Sequence, residues 1–493
     1  MDETTALLAL MAALATAGPV LALRRRARFG PFHPALAFGV PYCVVTSGPV
    51  IRYLAYGTAP YGIKPEMLNG AMLVAVAAQA GILLGCGASG LFRRRPASYV
   101  YLRSPARLRP RVGWLCAVAL ALAASALAAR WADLTTVGKL DLGAADSFWS
   151  RLHYASFFLV LALVPAVVVA DQMVERRAAP ILTKAVVGAL AVLCLLEGER
   201  DVVLALLMIP ISWLAVRRDG ERHGGRVTRR ARWKRWRAVV HGGIAFAAVA
   251  GLLAVMQWAR GANGLTPSAQ LASLREATRE ESVVQAILGL GSNLFVVSRV
   301  IEWVPDELPY EGGMTYVHTL GNLAPSFLLP QLRQGSLLTW FKERYAPTSQ
   351  SGYGFGMEAE AYLNFGLLGP VVVFAVWTLV LCRLHDGYAS LPRALLYRYA
   401  YTFFLPFSLY CMRGDSLMCV KGATYSVGLV WLVATLARAV VRVNVRIRRV
   451  RWARPLHARP VPVTCRPVAR AAVMPAPMRA TARRNMAVPA VSP

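Results

Sequence analysis

Long runs of apolar residues, separated by Arg-rich segments, constrain the fold of this chain more than any other feature of its sequence. A helix needs about 20 consecutive apolar residues to cross a bilayer. The sequence therefore predicts an all-α polytopic membrane protein with about eleven transmembrane helices. The predicted spans lie at about 4–23, 33–54, 67–88, 112–129, 152–170, 180–197, 201–216, 238–258, 358–382, 394–411 and 416–437.

The composition agrees with a membrane protein. Of the 493 residues, 56% are hydrophobic and only 16% are charged, whereas about a quarter are charged in soluble domains. The net charge of +30 suggests nucleic acid as a partner, but the basic clusters stand at alternate ends of apolar runs. The positive-inside rule accounts for that placement, so we expect a lipid bilayer and no nucleic acid as partner.

The basic clusters also predict the orientation. The segments 24–32, 89–111, 171–179, 217–237, 383–393 and 438–493 hold most of the 55 Lys and Arg residues and few of the 25 acidic residues. With these segments inside, the N-terminus lies outside and the C-terminus is cytoplasmic. We therefore expect a multi-pass protein of the cytoplasmic (inner or plasma) membrane.

Four regions follow from the spans. We predict an N-terminal bundle of about eight spans (1–258), an extracytoplasmic loop with short helices (259–357), a C-terminal bundle of about three spans (358–437) and a basic, disordered cytoplasmic tail (438–493). Within the loop, one helix begins at Thr266 and a second ends before Pro305. Its aromatic residues are expected at headgroup depth: Trp303, Trp340, Phe341 and Tyr345.

The stretch GYGFGMEAEAYLNFGLLG places two carboxylates at the start of the predicted span 358–382. Glu358 and Glu360 lie in or beside its first turn, and Asn364 shares a helix face with Glu360 because they are four residues apart. Ionisable groups at a membrane boundary indicate a functional site. The alternative is that both acids merely favour the positive end of the helix dipole.

Two arginines occupy short outer turns. Arg200 lies in LLEGERDVVL and Arg413 in CMRGDS, and each has the alternative of pairing with a neighbouring acid. Arginine suits phosphate because its planar fork offers paired, permanently charged donors. In the outer loop, Arg299 is a further candidate for substrate binding. His318 is a candidate acid or base, or a hydrogen-bonding residue of the loop.

Phosphate-binding arginines and a carboxylate base, both facing outward, fit glycosyl transfer from a lipid diphosphate. The sequence contains no Walker loop, zinc-protease helix, serine-hydrolase elbow or dinucleotide fingerprint, and its outer loops carry no metal-binding aspartate pair. Its eight cysteines show no paired spacing, which predicts neither a disulfide framework nor a zinc site. We therefore expect no cofactor, no metal and a metal-independent mechanism.

Three segments together resemble the Wzy-type family of O-antigen and oligosaccharide repeat-unit polymerases. GERDVVLALLMIPISWL resembles a Gly-x-Arg turn before a span. RVIEWVPDELPYEGGMTYVHTLGNLAPSFLLP resembles an outer loop in which a helix runs into proline, then Gly-x-Thr-Tyr, then proline. GFGMEAEAYLNFGLLG resembles the Glu-x-Tyr-x-Asn-Phe-Gly-x-x-Gly start of a late span. The resemblance covers about residues 197–370.

The resemblance implies a GT-C-like fold and a polymerase of undecaprenyl-diphosphate-linked repeat units on the outer leaflet. One lipid-linked oligosaccharide is the donor and another the acceptor, and a chain-length regulator is a further candidate partner. The residues matching family positions are Arg200, Tyr316, Glu360 and Asn364, with Arg413 a looser match. Two alternatives remain: an O-antigen-type ligase, which would use a loop histidine, and a flippase or transporter of lipid-linked oligosaccharide, although mid-span charges are few and no repeat is evident.

Overall fold

A computed structural model describes part of this chain: residues 3–24, 33–91, 128, 283–288, 292–323, 335–345, 354–390, 400–401, 403–405, 407–408 and 411–424. These residues belong to one compact unit, Met1–Ala437, and the regular structure they contain is helical. Arg200, the predicted spans between 152 and 258 and the tail 438–493 lie outside the described residues.

The helices whose bounds are described run in chain order as α1 (Glu3–Arg24), α2 (Pro34–Ala37), α3 (Gly39–Tyr56), α4 (Pro65–Leu91), α5 (Val283–Leu288), α6 (Ser292–Trp303), α7 (Met314–Gly321), α8 (Leu337–Tyr345), α9 (Met357–Phe365) and α10 (Leu368–Ser390). A further helix, α11, begins at 416 and is described as far as 424.

Four helical stretches among the described residues are long and apolar enough to cross a membrane: Glu3–Val20, Pro34–Tyr56, Pro65–Ser89 and Leu368–Asp386. They support a multi-pass membrane protein, as predicted. The total of eleven spans and the GT-C-like arrangement stay predictions.

Contacts between the spans give their relative directions. The Thr4 hydroxyl near the start of α1 donates to the Asn69 side chain near the start of α4, over 2.6 Å. Gly81 in α4 packs against Val371 in the first turns of α10, and Cys86 against Cys382 further along both helices. Thus α1, α4 and α10 run in the same direction, in agreement with the predicted alternation. Which side of the membrane they start from stays a prediction.

The closest approach between these spans uses two glycines four residues apart. A Cβ atom on Gly81 would overlap the carbonyl oxygen of Val371, and one on Gly85 would overlap that of Ala375. Small residues at this spacing let two membrane helices bring their backbones together. The α4–α10 pair therefore packs with its two backbones in close contact.

The predicted single helix over 358–382 is wrong, because the chain breaks between α9 and α10. Gly366 adopts φ 60° and ψ −148°, outside the helical region, and a Cβ there would lie 3.1 Å from the Tyr310 hydroxyl. A side chain would strain that backbone and crowd Tyr310. The membrane span begins at Leu368, and both carboxylates lie before it, in the separate helix α9.

The segment predicted as the outer loop contains an aromatic cluster. Phe341 is fully buried within the protein, and the expected headgroup position of these rings stays a prediction. Trp303 and Trp340 meet edge to face with centroids 6.0 Å apart, and Phe295 contacts Tyr345 in the same way at 5.1 Å. As predicted, α6 ends just before Pro305. The aromatic residues form a core that holds α6 and α8 together.

Candidate active site

Glu360 is the best-connected carboxylate among the described residues. It lies in the first turn of α9 with only 1% of its surface exposed. Its Oε1 accepts from the Thr315 hydroxyl at 2.8 Å and the Ser416 hydroxyl at 2.6 Å, and its Oε2 accepts from the Ser416 backbone N–H at 2.5 Å. Glu360 thus joins three elements, α7, α9 and the start of α11.

Asn364 shares a helix face with Glu360, as their spacing indicates. Its side-chain nitrogen donates to the Thr315 hydroxyl at 2.7 Å and to the Glu360 carbonyl at 2.8 Å, while its oxygen accepts from Gly313 N–H at 2.9 Å. Because both Asn364 groups are used, its contribution to this geometry is to orient Thr315 and to hold the start of α7.

The hydroxyl groups around Glu360 form an ordered chain. Since Ser416 has one hydroxyl proton and gives it to Glu360, Thr319, at 2.8 Å from Ser416, acts as donor in that pair. Thr315 likewise gives its proton to Glu360 and accepts from Asn364. Thr315 and Ser416 thus donate to the carboxylate directly, and Thr319 reaches it through Ser416.

Two opposing effects set the affinity of Glu360 for a proton. Burial raises its pKa, while the hydrogen bonds from Ser416 and Thr315 lower it and the neighbouring Asp415 charge raises it. Burial has the larger effect, so the pKa of Glu360 lies above the usual value for glutamate. A buried carboxylate with a raised pKa that also accepts hydrogen bonds from fixed donors suits a general base.

A small, open depression lies beside this network. Glu360, His318 and Asp415 all contribute to its wall, which brings His318 and Glu360 to one site. The remaining lining residues are Thr315, Thr319, Asn322, Gly335, Leu337 and Leu417. The wall thus offers hydroxyl, amide and carboxyl groups that can form hydrogen bonds.

Asp415 has a structural function in the same wall. Its carboxylate accepts from Met418 N–H at 2.9 Å, which makes it the N-cap of α11, and from Leu337 N–H at 3.1 Å. Burial raises its pKa, and these two backbone donors oppose that effect. Asp415 therefore ties α8 to the turn that carries Arg413.

Arg413 lies in that turn, next to the chain leading into α9. A Cβ atom on Gly354, whose φ is +70°, would lie 3.3 Å from the Arg413 Nε. On either side of Arg413, Met412 accepts a hydrogen bond from Asn293 and Ser416 donates to Glu360. The turn is thus packed against α6 and α9. Arg413 and Glu360 therefore belong to elements that are in direct contact.

Glu358, two residues before Glu360, lies in a different environment. It is fully buried, and neither of its oxygens has a hydrogen-bond partner within the part of the chain that the structure describes. The Asn293 amide, which donates to the Met412 carbonyl, is also close enough to lower the pKa of Glu358. Burial dominates and raises the pKa of Glu358 to about 7.

Tyr316 and Arg299 are placed differently from each other. The Tyr316 ring stacks on Phe365 at 6.2 Å, and its buried hydroxyl has no hydrogen-bond partner among the residues described. Burial, followed by the Glu360 charge, raises the pKa of Tyr316.

Arg299 forms an ion pair with Glu302 at 2.5 Å and lies over the Tyr345 ring at 5.0 Å, so it belongs to the aromatic core and not to the pocket wall.

The structure adds Thr315, Thr319 and Ser416 to the residues that the sequence indicated. Thr315 belongs to the Gly-x-Thr-Tyr segment, which was a usable signal, and Ser416 directly follows the Asp415 cap. Thr319 had no signal in the sequence beyond its position four residues after Thr315, on the same face of α7.

A helical membrane framework with a buried carboxylate beside a polar pocket defines the broad class, a multi-pass membrane protein with a candidate glycan-processing site. The model of the family described as O-antigen polysaccharide polymerase Wzy matches residues 147–441, which is more than half of the chain. The chain therefore belongs to the Wzy family of O-antigen polysaccharide polymerases. No curated protein and no solved structure matches the chain.

Proposed function

We propose that this protein polymerises undecaprenyl-diphosphate-linked oligosaccharide repeat units by glycosyl transfer at the outer leaflet of the cytoplasmic membrane. The observation that carries the proposal is the position of Glu360, whose carboxylate is buried, fully oriented by Thr315 and Ser416, and part of the pocket wall. Membership of the Wzy family supports the polymerase over the ligase and the transporter.

In the proposed reaction, a hydroxyl oxygen of the acceptor sugar attacks the anomeric carbon of the donor. The new glycosidic bond forms as the bond between that carbon and the diphosphate oxygen breaks. Glu360 takes the proton of the attacking hydroxyl, and the undecaprenyl diphosphate leaves with the bonding electron pair. Such positioned proton transfer contributes about 10²–10⁴-fold to a rate.

The leaving diphosphate needs positive charge as the bond breaks. Arg413, in the turn packed against α9, is the described residue to which we assign this contact, together with Arg200, which lies outside the described residues. Permanently charged guanidinium groups can neutralise a diphosphate directly, which supports metal-independent chemistry. We assign the buried Tyr316 hydroxyl, which has no partner among the described residues, a contact with a substrate oxygen. Asn364 acts as a positioning residue through Thr315.

His318 keeps the ligase reaction open as a second candidate, because it lines the same pocket as Glu360. In a ligase, the histidine would activate an acceptor that is not a lipid-linked repeat unit. The two reactions differ in the product that a failed enzyme leaves behind. Loss of a polymerase leaves single lipid-linked repeat units, whereas loss of a ligase leaves lipid-linked polymer.

The test uses full-length protein in cells that lack their own copy of the gene. We compare Glu360→Gln, Arg413→Ala and His318→Ala, and take Glu343→Gln, an exposed glutamate on α8, as the matched control. Membrane levels are followed through an epitope tag, and glycan through electrophoretic ladders and extracted lipid-linked products. We expect Glu360→Gln and Arg413→Ala to abolish long chains and leave single repeat units, while Glu343→Gln keeps the ladder.

Normal ladders from Glu360→Gln and Arg413→Ala, at normal membrane levels, would remove this site assignment. If His318→Ala instead produced lipid-linked polymer that is never attached, the ligase would replace the polymerase.

A further inference from the structure

Helix α7 has two faces of opposite character. Thr315 and Thr319 are buried on the face toward Glu360 and Ser416. On the opposite side, Met314, Val317 and Leu320 are exposed by 44%, 41% and 63%. These three exposed side chains are all apolar, so contact with water is unfavourable for this face.

The apolar face of α7 continues onto the start of α10. Tyr316 stacks on Phe365, which is itself 46% exposed, and Leu367 and Leu368 follow it with 45% and 73% exposure. The exposed surface is thus continuous from α7, through the break at Gly366, to the first residue of a membrane span.

Along α10 the same kind of surface continues in a regular stripe. Val372, Val376 and Val380 are exposed by 57%, 57% and 42%, and they stand four residues apart on one helix face. In a membrane span, such a stripe faces lipid. The apolar face of α7 is therefore an extension of the lipid-facing surface of α10.

We propose that α7 lies in the membrane interface, with Met314, Val317 and Leu320 in contact with the lipid chains and with its threonine face toward the pocket. A short amphipathic helix that leads into a span is suited to this position, because its apolar side is buried at the boundary of headgroups and acyl chains. The occupant of this surface is the bilayer itself. The pocket beside Glu360 then lies at headgroup depth, within reach of a phosphate that stays attached to its lipid.

The test measures the surroundings of α7 directly and needs no activity. Full-length protein carrying Leu320→Cys or Val317→Cys is labelled with a nitroxide and reconstituted in phosphatidylethanolamine–phosphatidylglycerol vesicles. Collision rates with oxygen, which concentrates in the bilayer, are compared with those of a water-soluble nickel chelate. Val376→Cys on α10 is the lipid reference, and Asp306→Cys, at an exposed loop position, is the aqueous reference. Labelled wild-type protein supplies the background from the eight native cysteines.

We expect the oxygen-to-nickel ratio at positions 317 and 320 to match position 376 and to exceed position 306 several-fold. A ratio equal to that of position 306 would overturn the proposal. So would low accessibility to both reagents, because it would mean that protein covers the surface, and spin–spin broadening would then identify a second copy as the cover.

Discussion

Glu360 and Ser416 lie 56 positions apart in the chain and are joined by two hydrogen bonds, from the Ser416 hydroxyl at 2.6 Å and from its backbone N–H at 2.5 Å. Ser416 thus gives the carboxylate two donors, a hydroxyl that mutation can remove and a backbone N–H that it cannot. Variants of Ser416 therefore test how the orientation of the Glu360 carboxylate matters, without removing the carboxylate itself.

Ser416→Ala removes the hydroxyl donor but keeps the N–H. We expect lower polymerase activity, and a loss of about 1–3 kcal/mol in stability, because a buried acceptor loses a partner. Since that donor lowers the pKa of Glu360, the acid limb of the pH–activity profile should move to higher pH. Thermal unfolding in detergent and a pH series of ladder formation measure both effects.

The control for that prediction is Ser298→Ala, which removes a buried hydroxyl whose one hydrogen bond among the described residues goes to the Phe295 carbonyl of its own helix. It should leave the pH profile of activity unchanged. An equal shift from both variants would contradict a specific effect of Ser416 on Glu360.

Asp415 gives a second prediction, because it caps α11 and also lines the pocket. Asp415→Ala should cost about 1 kcal/mol through the lost cap, whereas asparagine is an equally good cap residue and should restore that stability. If Asp415 is only a cap, Asp415→Asn also restores polymer length. Stability that recovers while the ladder stays short would instead assign the Asp415 charge to the reaction.

The sequence predicted the membrane class and part of the site, since both depend on local patterns. The apolar runs predicted helices at 4–23, 33–54 and 67–88, where the structure has them. The four-residue spacing predicted that Glu360 and Asn364 share one face of α9, as they do. The break at Gly366 was missed because apolar residues continue on both sides of it. The positive φ of Gly366 and its contact with Tyr310, which explain the glycine, become visible only in three dimensions.

The partners of Glu360 were beyond sequence reasoning for a different reason. Thr315 and Ser416 lie 45 and 56 residues away in the chain, and no local period relates them to α9. Ordinary hydroxyl residues give no pattern of their own. Their contribution becomes visible only once α7 and α11 pack on either side of the carboxylate.

The α4–α10 contact gives a third prediction. Gly81→Ala would push a methyl group into the Val371 carbonyl, so we expect a loss of about 1–3 kcal/mol in stability from overpacking. Gly87→Ala, on the same helix, is the matched control, because a Cβ there has nothing within 4 Å. Thermal unfolding in detergent compares the two. Equal midpoints would show that α4 and α10 do not pack through Gly81.

Glu358 gives the last prediction, a pH dependence of stability. Its pKa is raised from 4.5 to about 7 in the folded protein, chiefly by burial. Between these values the unfolded chain ionises while the folded protein keeps the proton, so the free energy of unfolding falls as pH rises. Above pH 7 the free energy of unfolding is lower by the full ~3 kcal/mol, and below the unfolded pKa of 4.5 it is not lowered at all.

Replacing Glu358 by glutamine removes the titrating group and keeps its size. We expect Glu358→Gln to unfold at a higher temperature than wild type at pH 8, with the difference shrinking towards pH 4.5. Glu343→Gln, at an exposed position, should follow wild type at every pH. Because Glu360 and Asp415 also have raised pKa values, only the difference between Glu358→Gln and wild type isolates Glu358. A difference that does not change with pH would mean that Glu358 stays ionised in the folded protein, which would contradict its raised pKa.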